Sequence, residues 1–367
     1  MIEKFGVENA FQSEEIKDKI KRENLEKFGV ENYNQQNILH YEIWQNDDSL
    51  KSFIINQFNK KYSFLLLNEM SLFFNIAPQN IKKRIERLDL LQYFYIQESN
   101  LEIQFKHFLN DNNIEFTQHN RNIIFNYHTN AWQEIDFLID DFNIGFEIND
   151  IASHNAIGSG FYSAKDKFYH FNKTLQCAQK GIRLIHLWEW ELRNSKKWDK
   201  ICKWILNLLN KNKIAIDVKE CEIREVAITE GIQFLNDYEL SEHKDFNICL
   251  GLYYNNDLIG LESFRKISYN NDYELVNLCF KFGVDIINGA KELLHYFIDK
   301  HNCNSIIKYL NLDKFKSDTY IDMGFKLDQI IDPQLIWCDK DMKCSFNKLN
   351  NSVPLYDCGV KMLRFTN

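Results

Sequence analysis

The chain has 367 residues, of which 45% are hydrophobic, and a formal net charge of −8 at pH 7. This length exceeds that of one ordinary domain and the apolar content is enough for sizeable cores, so we expect two or three domains and exclude a disordered chain. No stretch approaches the roughly 20 apolar residues that span a bilayer, and no apolar leader follows Met1, so we expect a cytoplasmic protein without a membrane partner.

The acidity lies mainly in residues 214–367, which contain 17 Lys and Arg against 24 Asp and Glu. Because contacts to phosphate depend on local clusters of cations, an acidic total does not exclude DNA binding. The nine cysteines are odd in number and form no CxxC pair. We interpret them as reduced thiols rather than as disulfides or zinc ligands.

Residues 1–45 contain an internal repeat, in which the segment EKFGVEN at Glu3–Asn9 recurs at Glu26–Asn32. One interpretation is a small helical appendage, since so few copies cannot form a solenoid. The other is a linear segment that contacts DNA, because the repeat resembles short units found in phage-encoded endonucleases. Both interpretations remain open at this point.

Residues 46–97 carry a pattern that resembles a helix-turn-helix. Asn75 occupies a position where the turn requires a positive φ, Pro78 suits the first turn of a second helix, and Ile81 and Ile85 at i, i+4 face inward. An outward face of amides and cations is typical of a helix that contacts base edges and phosphates. The alternative is an ordinary helical hairpin with a solvated face. The predicted DNA-binding residues are Gln79, Asn80, Lys82, Lys83 and Arg87.

Residues 98–212 alternate between helical and extended patterns, which favours a mixed α/β core. The predicted elements are a helix over 101–109, a strand over 114–117, strands over 134–139 and 144–149 with a turn between them, a helix over 164–180 and a strand over 182–188.

Two carboxylates in this region stand inside apolar strands. Asp136 lies between Ile135 and Phe137, and Glu147 lies in the next strand of the predicted hairpin. A carboxylate in such a strand is costly unless it is paired or holds a cation, and Mg²⁺ prefers carboxylate oxygens. The two side chains can therefore converge on one metal ion. The alternative is that strand alternation puts both on a solvated face.

Further polar residues follow the hairpin. His154 comes just after the second strand, and His170 and Lys173 share one face of the following helix at i, i+3. A histidine near a metal-bound water can transfer a proton, and a lysine can stabilise negative charge on a phosphate. Together with the paired carboxylates, these residues favour a phosphodiester-cleaving site.

The segment resembles the nucleases related to the very short patch repair endonuclease, including phage homing endonucleases with an EDxHD-type site, in the PD-(D/E)xK superfamily. The resemblance covers about 90 residues and implies a restriction-endonuclease-like core that uses Mg²⁺ or Mn²⁺. It implies that Asp136 is the principal metal ligand, that His154 and His170 transfer protons and that Glu102 assists through water. The residues that carry the resemblance are Glu134–Asp136, Gly145–Asn149, His154, His170–Lys173, Cys177 and Gly181–Glu189.

The chain departs from this family at two places. Asn149 stands where the superfamily has a lysine, so we expect Lys173 to substitute for it from the helix. Ala152 and Ser153 stand where the family has an aromatic pair before the histidine. These changes leave Asp136 in place and keep open the alternative of a DNA-binding protein with an inactive nuclease core.

Residues 213–345 resemble the GNAT N-acetyltransferase fold, in which a Gly-rich turn at a helix N-terminus holds the pyrophosphate of acetyl-CoA. The resemblance lies in a predicted hairpin over 248–264, a helix over 289–300 and a final element over 320–325. Asp285 stands where the family's turn has a basic or amide residue and would repel phosphate. Residues 346–367 are expected to form a C-terminal tail.

We therefore expect an α/β multidomain protein with an N-terminal helical DNA-binding region, a central restriction-endonuclease-like core and a C-terminal GNAT-like domain. The expected function is site-specific cleavage of double-stranded DNA by a phage-type endonuclease, of which a homing endonuclease is one form, acting in the host cytoplasm. The alternatives are the inactive DNA-binding protein and a DNA-tethered acetyltransferase.

Overall fold

The computed structural model describes residues 14–28, 38, 40–61, 67–90, 99–126, 131–158, 164–209, 213–241 and 245–366. The chain divides into two compact units, Met1–Glu98 and Ser99–Asn367, which we call the helical unit and the mixed unit. Within the described ranges, every helix is too short or too polar to cross a bilayer.

In the helical unit, the helices between Tyr41 and Arg87 pack around a small apolar core. Asn75 has a φ of 53° in the turn before the last helix, as the helix-turn-helix pattern predicts. Ile81 and Ile85 are buried against Leu50 and Phe74. The first copy of the EKFGVEN repeat lies outside the described residues, as does most of the second. The helices are α1 (Glu14–Phe28), α2 (Tyr41–Trp44), α3 (Asp47–Lys61), α4 (Leu67–Phe74) and α5 (Pro78–Arg87).

The first part of the mixed unit contains a four-stranded sheet in the order β1-β2-β3-β4. The first three strands are antiparallel to their neighbours, and β4 runs parallel to β3. The elements are α6 (Asn100–Asp111), β1 (Thr117–Asn126), β2 (Ala131–Ile139), β3 (Ile144–Asn149), α7 (Ile151–His154), α8 (Tyr169–Gln179), β4 (Arg183–Trp188), α9 (Glu189–Leu192) and α10 (Ser195–Leu208).

Helices cover both faces of this sheet. Phe146 and Ile185 pack with Phe105 of α6 and Ile205 of α10 on one face. On the other face α8 packs through Cys177 against a smaller apolar cluster. The face under α8 also carries buried polar residues, so the two faces differ in chemistry. These buried polar residues are Glu147, Asn149, His170, Lys173, Thr174 and His186.

The second part of the mixed unit is built on a seven-stranded sheet in the order β12-β16-β11-β9-β8-β7-β6. Its neighbouring strands are antiparallel except β9 and β11, which are parallel. The strands are β5 (Ile214–Asp217), β6 (Glu222–Glu225), β7 (Ile248–Tyr254), β8 (Asp257–Lys266), β9 (Asp272–Phe280), β10 (Val284–Ile287), β11 (Ser305–Asn311), β12 (Lys326–Ile331), β13 (Leu335–Cys338), β14 (Cys344–Ser345), β15 (Val353–Tyr356) and β16 (Val360–Thr366), and the helices are α11 (Ile228–Tyr238), α12 (Gly289–His301) and α13 (Asp318–Asp322).

Two helices enclose the seven-stranded sheet from opposite faces. Phe297 of α12 stacks on Phe264 of β8, with ring centroids 3.6 Å apart. Leu235 of α11 packs with Leu261 and Cys279 in a separate cluster. Alternate residues of the strands therefore belong to two different cores, as expected for a sheet that is buried on both sides.

Three expectations about the later part of the chain are corrected. In place of a tail, residues 346–367 contain β15 and β16, and β16 pairs with both β11 and β12. The nuclease-like and GNAT-like regions belong to one compact unit. Cys338 and Cys344 form a disulfide, so the prediction of nine reduced thiols is wrong for this pair. The two cysteines lie directly opposite each other in β13 and β14, a contact that their spacing alone does not reveal.

Candidate functional site

Asp136 and Glu147 lie where the pairing of β2 with β3 ends. The regular ladder stops at Phe137 and Phe146, and the next step in the same register would set Asp136 opposite Glu147. The Asp136 carboxylate instead accepts a hydrogen bond at Oδ2 from the backbone N–H of Ile148, over 2.6 Å. The Asp136 side chain thus takes the place of a backbone hydrogen bond between β2 and β3. This contact keeps the Asp136 carboxylate beside the strand that carries Glu147.

The alternation of β2 is broken beside Asp136. Phe137 belongs to the apolar cluster under α6 and α10, whereas Ile135 packs with Leu138 and Leu184 in the cluster under α8. Regular alternation would have placed Ile135 and Phe137 on the same face. The expected alternative of two carboxylates on a solvated face is wrong for Glu147, which is 1% exposed.

Lys173 of α8 forms an ion pair with Glu147 inside the protein, and the two side chains are 3% and 2% exposed. Burial opposes the charged lysine, but Glu147, Tyr169 and Asp136 together raise the pKa of Lys173 above its ordinary value. The structure therefore brings together three of the predicted residues: Asp136, Glu147 and Lys173.

Both carboxyl groups hold their protons more tightly than in water. Burial, followed by repulsion from Glu147, raises the pKa of Asp136 well above its ordinary value. Burial also raises the pKa of Glu147, although Lys173 opposes that shift. Two neighbouring carboxyl groups with raised pKa values are expected to release protons when a cation binds between them.

The residues fit a divalent cation in part. Oε1 of Glu147 is buried and has no hydrogen-bond partner among the described residues, which leaves an acceptor for a cation. Within the described ranges, no group of three or more His, Cys, Asp or Glu side chains is arranged to hold a metal ion. Asp136 and Glu147 would thus be the two carboxylate ligands of the cation. Mg²⁺ commonly uses one or two carboxylates and several waters.

The predicted histidines lie next to this group in a cluster of aromatic rings. The rings of His154 and His170 stack with centroids 5.2 Å apart, and His170 packs against Trp188 at 5.1 Å. Burial and then Lys173 lower the pKa of His170 to about 3, and burial followed by His170 lowers the pKa of His154 well below its ordinary value. Both imidazoles are neutral at pH 7, and His170 is 1% exposed, so His170 packs beneath the site.

Glu102 has a different partner from the one expected. Its backbone N–H donates to Oγ of Ser99 over 3.1 Å, and its carboxylate accepts from the Ser99 backbone N–H. These bonds form a capping box at the start of α6. The carboxylate still raises the pKa of Asp136, although this is the weakest of the contributions to that shift.

The sequence analysis missed a buried network beside Glu147. His186 pairs with Glu147 across β3 and β4. Its Nδ1 accepts from Nδ2 of Asn149 over 3.1 Å, and its Nε2 lies 2.8 Å from Oγ1 of Thr174. The Thr174 hydroxyl also donates to the backbone carbonyl of His170 over 2.9 Å, which favours a His186 proton on Nε2. Asn149 therefore orients the His186 imidazole.

Glu134 also lies near Asp136, but its negative charge is balanced by its own cationic partners. It contacts the His119 imidazole and the Arg121 guanidinium through separate oxygens. Burial opposes ionisation of Glu134, yet His119 and Arg121 together lower its pKa to about 2. Glu134 is thus a charged, fully paired carboxylate, unlike Asp136.

The helical unit exposes most of the predicted DNA-binding residues. Gln79, Asn80, Lys83 and Arg87 are exposed on α5, and Lys82 is half-buried. Arg87 is also bound to Asp47, over 3.0 Å. This ion pair reduces the positive charge that α5 offers to a phosphate, which the helical pattern alone did not show.

The turn expected to hold pyrophosphate is built differently from a Gly-rich cradle. Strand β10, which contains Asp285, pairs in parallel with β5. Asp285 is exposed, and a Cβ on Gly289 would meet Cγ2 of Ile286 at 2.7 Å, so the turn is filled by its own side chain. Strands β9 and β11 pair only from Ser305 to Ile307, and a cavity of about 120 Å³ lies beyond that point.

Comparisons with known proteins match only part of the chain. No protein-family model matches it, and no curated protein matches it. Solved structures that cover 40% of this chain include a Bacillus subtilis acetyltransferase in complex with CoA, at 15% identity over 99% of that chain with a TM-score of 0.30. A GNAT family acetyltransferase from Elizabethkingia anophelis with acetyl-CoA bound matches at 12% identity over 99% of its chain, with a TM-score of 0.26. A spermidine N-acetyltransferase from Vibrio cholerae matches at 14% identity over 94% of its chain, with a TM-score of 0.28.

The chain is a mixed α/β protein, and 40% of it is similar to GNAT acetyltransferases. Identity and overlap at this level assign no substrate or activity to this chain.

Proposed function

We propose that the mixed unit hydrolyses phosphodiester bonds of double-stranded DNA with Mg²⁺ or Mn²⁺ held by Asp136 and Glu147. The observation that supports this most is the buried ion pair of Lys173 with Glu147, beside the second carboxylate on the next strand. A bound cation would neutralise charge on the phosphate and lower the pKa of a water molecule.

The chain's own residues would prepare the site for this reaction. The Ile148 N–H fixes the orientation of the Asp136 carboxylate, and Lys173 opposes the rise that burial causes in the pKa of Glu147. The positive charge of Lys173 also favours negative charge nearby, because a buried site screens charges weakly. Lys173 therefore takes the place of the lysine that the superfamily carries at the Asn149 position.

A plasmid-nicking experiment tests the proposal. Purified protein is incubated with supercoiled plasmid and Mg²⁺ or Mn²⁺, with and without EDTA, and with the variants Asp136→Asn and Asp141→Asn. Asp141 is an exposed carboxylate in the turn after β2 and serves as the matched control. We expect cleavage by the wild type and by Asp141→Asn, loss of cleavage in Asp136→Asn, and similar DNA affinity for all three in a gel shift. Cleavage by Asp136→Asn would refute the assignment.

The same experiment separates the inactive DNA-binding alternative. A protein with an inert core would shift duplex DNA in a gel and leave the plasmid supercoiled at every metal concentration. The lowered pKa values of His154 and His170 favour this alternative, because they make both imidazoles weaker bases. The ion pair of Lys173 with Glu147 favours the active enzyme.

Acetyl transfer is a second candidate, supported by the separation of β9 and β11 beyond Ile307. The opening is partly filled, since Nζ of Lys308 donates to the backbone carbonyl of Val276 over 2.8 Å. Titration of the protein with acetyl-CoA in a calorimeter tests this candidate. Saturable heat of binding would support acetyl transfer. Absence of such heat would argue against acetyl transfer and leave the nuclease proposal.

A further inference from the structure

A cavity of about 220 Å³ lies between the α8–β4 side of the four-stranded sheet and the segment that follows β11. Four cationic side chains line it and only one acidic side chain, that of Asp318, does so. The excess of positive charge is unusual in a chain whose net charge is −8. The four cationic residues are Arg183, Lys314, Lys316 and Lys361.

Arg183 has a donor with no acceptor. Its Nη2 donates to the backbone carbonyl of Lys314, and its guanidinium lies over the Trp204 ring at 5.6 Å. Its Nε is buried and has no hydrogen-bond partner within the described part of the chain. A buried donor without an acceptor is unfavourable. Burial lowers the pKa of Arg183 to about 10, although the Asp318 carboxylate opposes that shift.

The lysines differ in how free their charges are. Lys314 is bound to Glu191 and Asp313, at 2.9 and 3.1 Å. Lys316 lies 3.9 Å from Asp318 and is exposed. Among the described residues, the half-buried Lys361 side chain has no hydrogen-bond or ion-pair partner. Lys361 therefore carries a charge that no described partner compensates, and Arg183 shares the Asp318 carboxylate with Lys316.

We propose that this cavity binds a phosphate group. A guanidinium and two accessible ammonium groups match an oxyanion with more than one negative charge and several acceptor oxygens better than they match a single carboxylate. The volume admits a phosphate with a small group attached to it. The inference stands independently of the proposed nuclease site, because none of the cavity's cationic residues belongs to that site.

Calorimetry with the full chain tests the proposal, with inorganic phosphate and pyrophosphate as probes and sodium chloride as the ionic-strength control. The variants are Arg183→Gln, Lys361→Gln and the control Lys326→Gln, an exposed lysine of β12 that does not line the cavity. We expect saturable binding to the wild type and to Lys326→Gln, and about tenfold weaker binding to each of the other two, since one charge-assisted hydrogen bond is lost.

Absence of saturable phosphate binding by the wild type would overturn the proposal. Unchanged affinity in Lys361→Gln would also overturn it, and this variant guards against an Arg183→Gln protein that fails to fold. A repeat of the titration with saturating DNA duplex identifies the source of the phosphate. Loss of the phosphate heat would assign the cavity to a DNA backbone phosphate, and persistence would assign it to a free phosphorylated molecule; both outcomes support a phosphate site.

Discussion

Asn149 donates a hydrogen bond from Nδ2 to Nδ1 of His186 over 3.1 Å, and both side chains are 0% exposed. The contact joins neighbouring parallel strands on the face that carries Glu147. It holds the imidazole in one orientation and places the Asn149 amide where a longer cationic side chain would have to displace His186. The asparagine at this position is therefore part of the packing of the sheet.

Asn149→Ala is expected to lower the free energy of unfolding by about 1–3 kcal/mol, because Nδ1 of His186 would remain buried without a partner. Urea denaturation followed by circular dichroism measures the effect. Asn110→Ala, an exposed change on α6, serves as the control and should stay within about 0.5 kcal/mol of the wild type. An Asn149→Ala protein as stable as the wild type would show that the contact does not constrain the fold.

Lys173→Met is expected to destabilise the protein by about 3–5 kcal/mol, because it leaves the Glu147 carboxylate buried without its partner. The double variant Lys173→Met with Glu147→Leu should recover much of this loss, since both charges are then removed. Denaturant unfolding of the two single variants and the double variant gives the coupling between the residues. Additive losses would contradict a direct interaction.

Asp136→Asn is expected to be more stable than the wild type at neutral pH. The raised pKa of Asp136 means that the folded protein binds the proton more tightly than the unfolded chain, where the pKa is about 3.9. The wild type should therefore lose stability, relative to the variant, as pH rises from about 4 through the raised pKa of Asp136. Unfolding curves at several pH values measure the difference, and a difference that is constant across this range would rule out the raised pKa.

Divalent cations provide a second measurement on the same pair of proteins. If Asp136 binds Mg²⁺ in the folded state, Mg²⁺ at pH 8 should raise the melting temperature of the wild type by mass action. The Asp136→Asn variant should show little change under the same conditions. An equal shift in both proteins would place the cation elsewhere.

Alkylation is expected to modify seven cysteines when the protein is denatured without a reductant, and nine after reduction. The difference arises because Cys338 and Cys344 are linked across β13 and β14. Mass spectrometry of the intact protein counts the adducts. Nine adducts without a reductant would restore the original expectation of free thiols.

Lys83→Gln is expected to weaken DNA binding by a similar factor for all sequences and to reduce the salt dependence of the affinity by about one unit of slope. Lys83 is exposed on α5, and among the described residues it has no ion-pair partner comparable to the Asp47 that binds Arg87. Fluorescence anisotropy at several salt concentrations provides the measurement, with Lys340→Gln in the mixed unit as the control. Equal salt slopes for both variants would remove α5 from the DNA interface.

The local parts of the fold and the site could be predicted from the sequence. The strands that carry Asp136 and Glu147 and the helix that carries Lys173 follow from periodicity and turn residues within short windows. Their bounds shifted by a few residues, and the helix expected from Ala164 begins at Tyr169. The positive φ of Asn75 is likewise a local property of the chain.

The remaining features depend on contacts between distant parts of the chain. The partners of Asn149 and His186 depend on the parallel pairing of β3 with β4, which no local pattern specifies. The low pKa values of His154 and His170 depend on burial, which the sequence could not measure. The capping role of Glu102 could have been predicted, because a serine three residues before a glutamate is the sequence signature of a capping box.

The position of β16 between β11 and β12 also affects how the protein is made. A ribosome that synthesises the chain releases β12 before it releases the strand to which β12 pairs. Until β16 emerges, the facing edges of β11 and β12 offer unpaired backbone groups to other chains. Pauses in translation after β12 and before β16 would therefore favour aggregation of nascent chains. Pauses before β6 would not expose these edges.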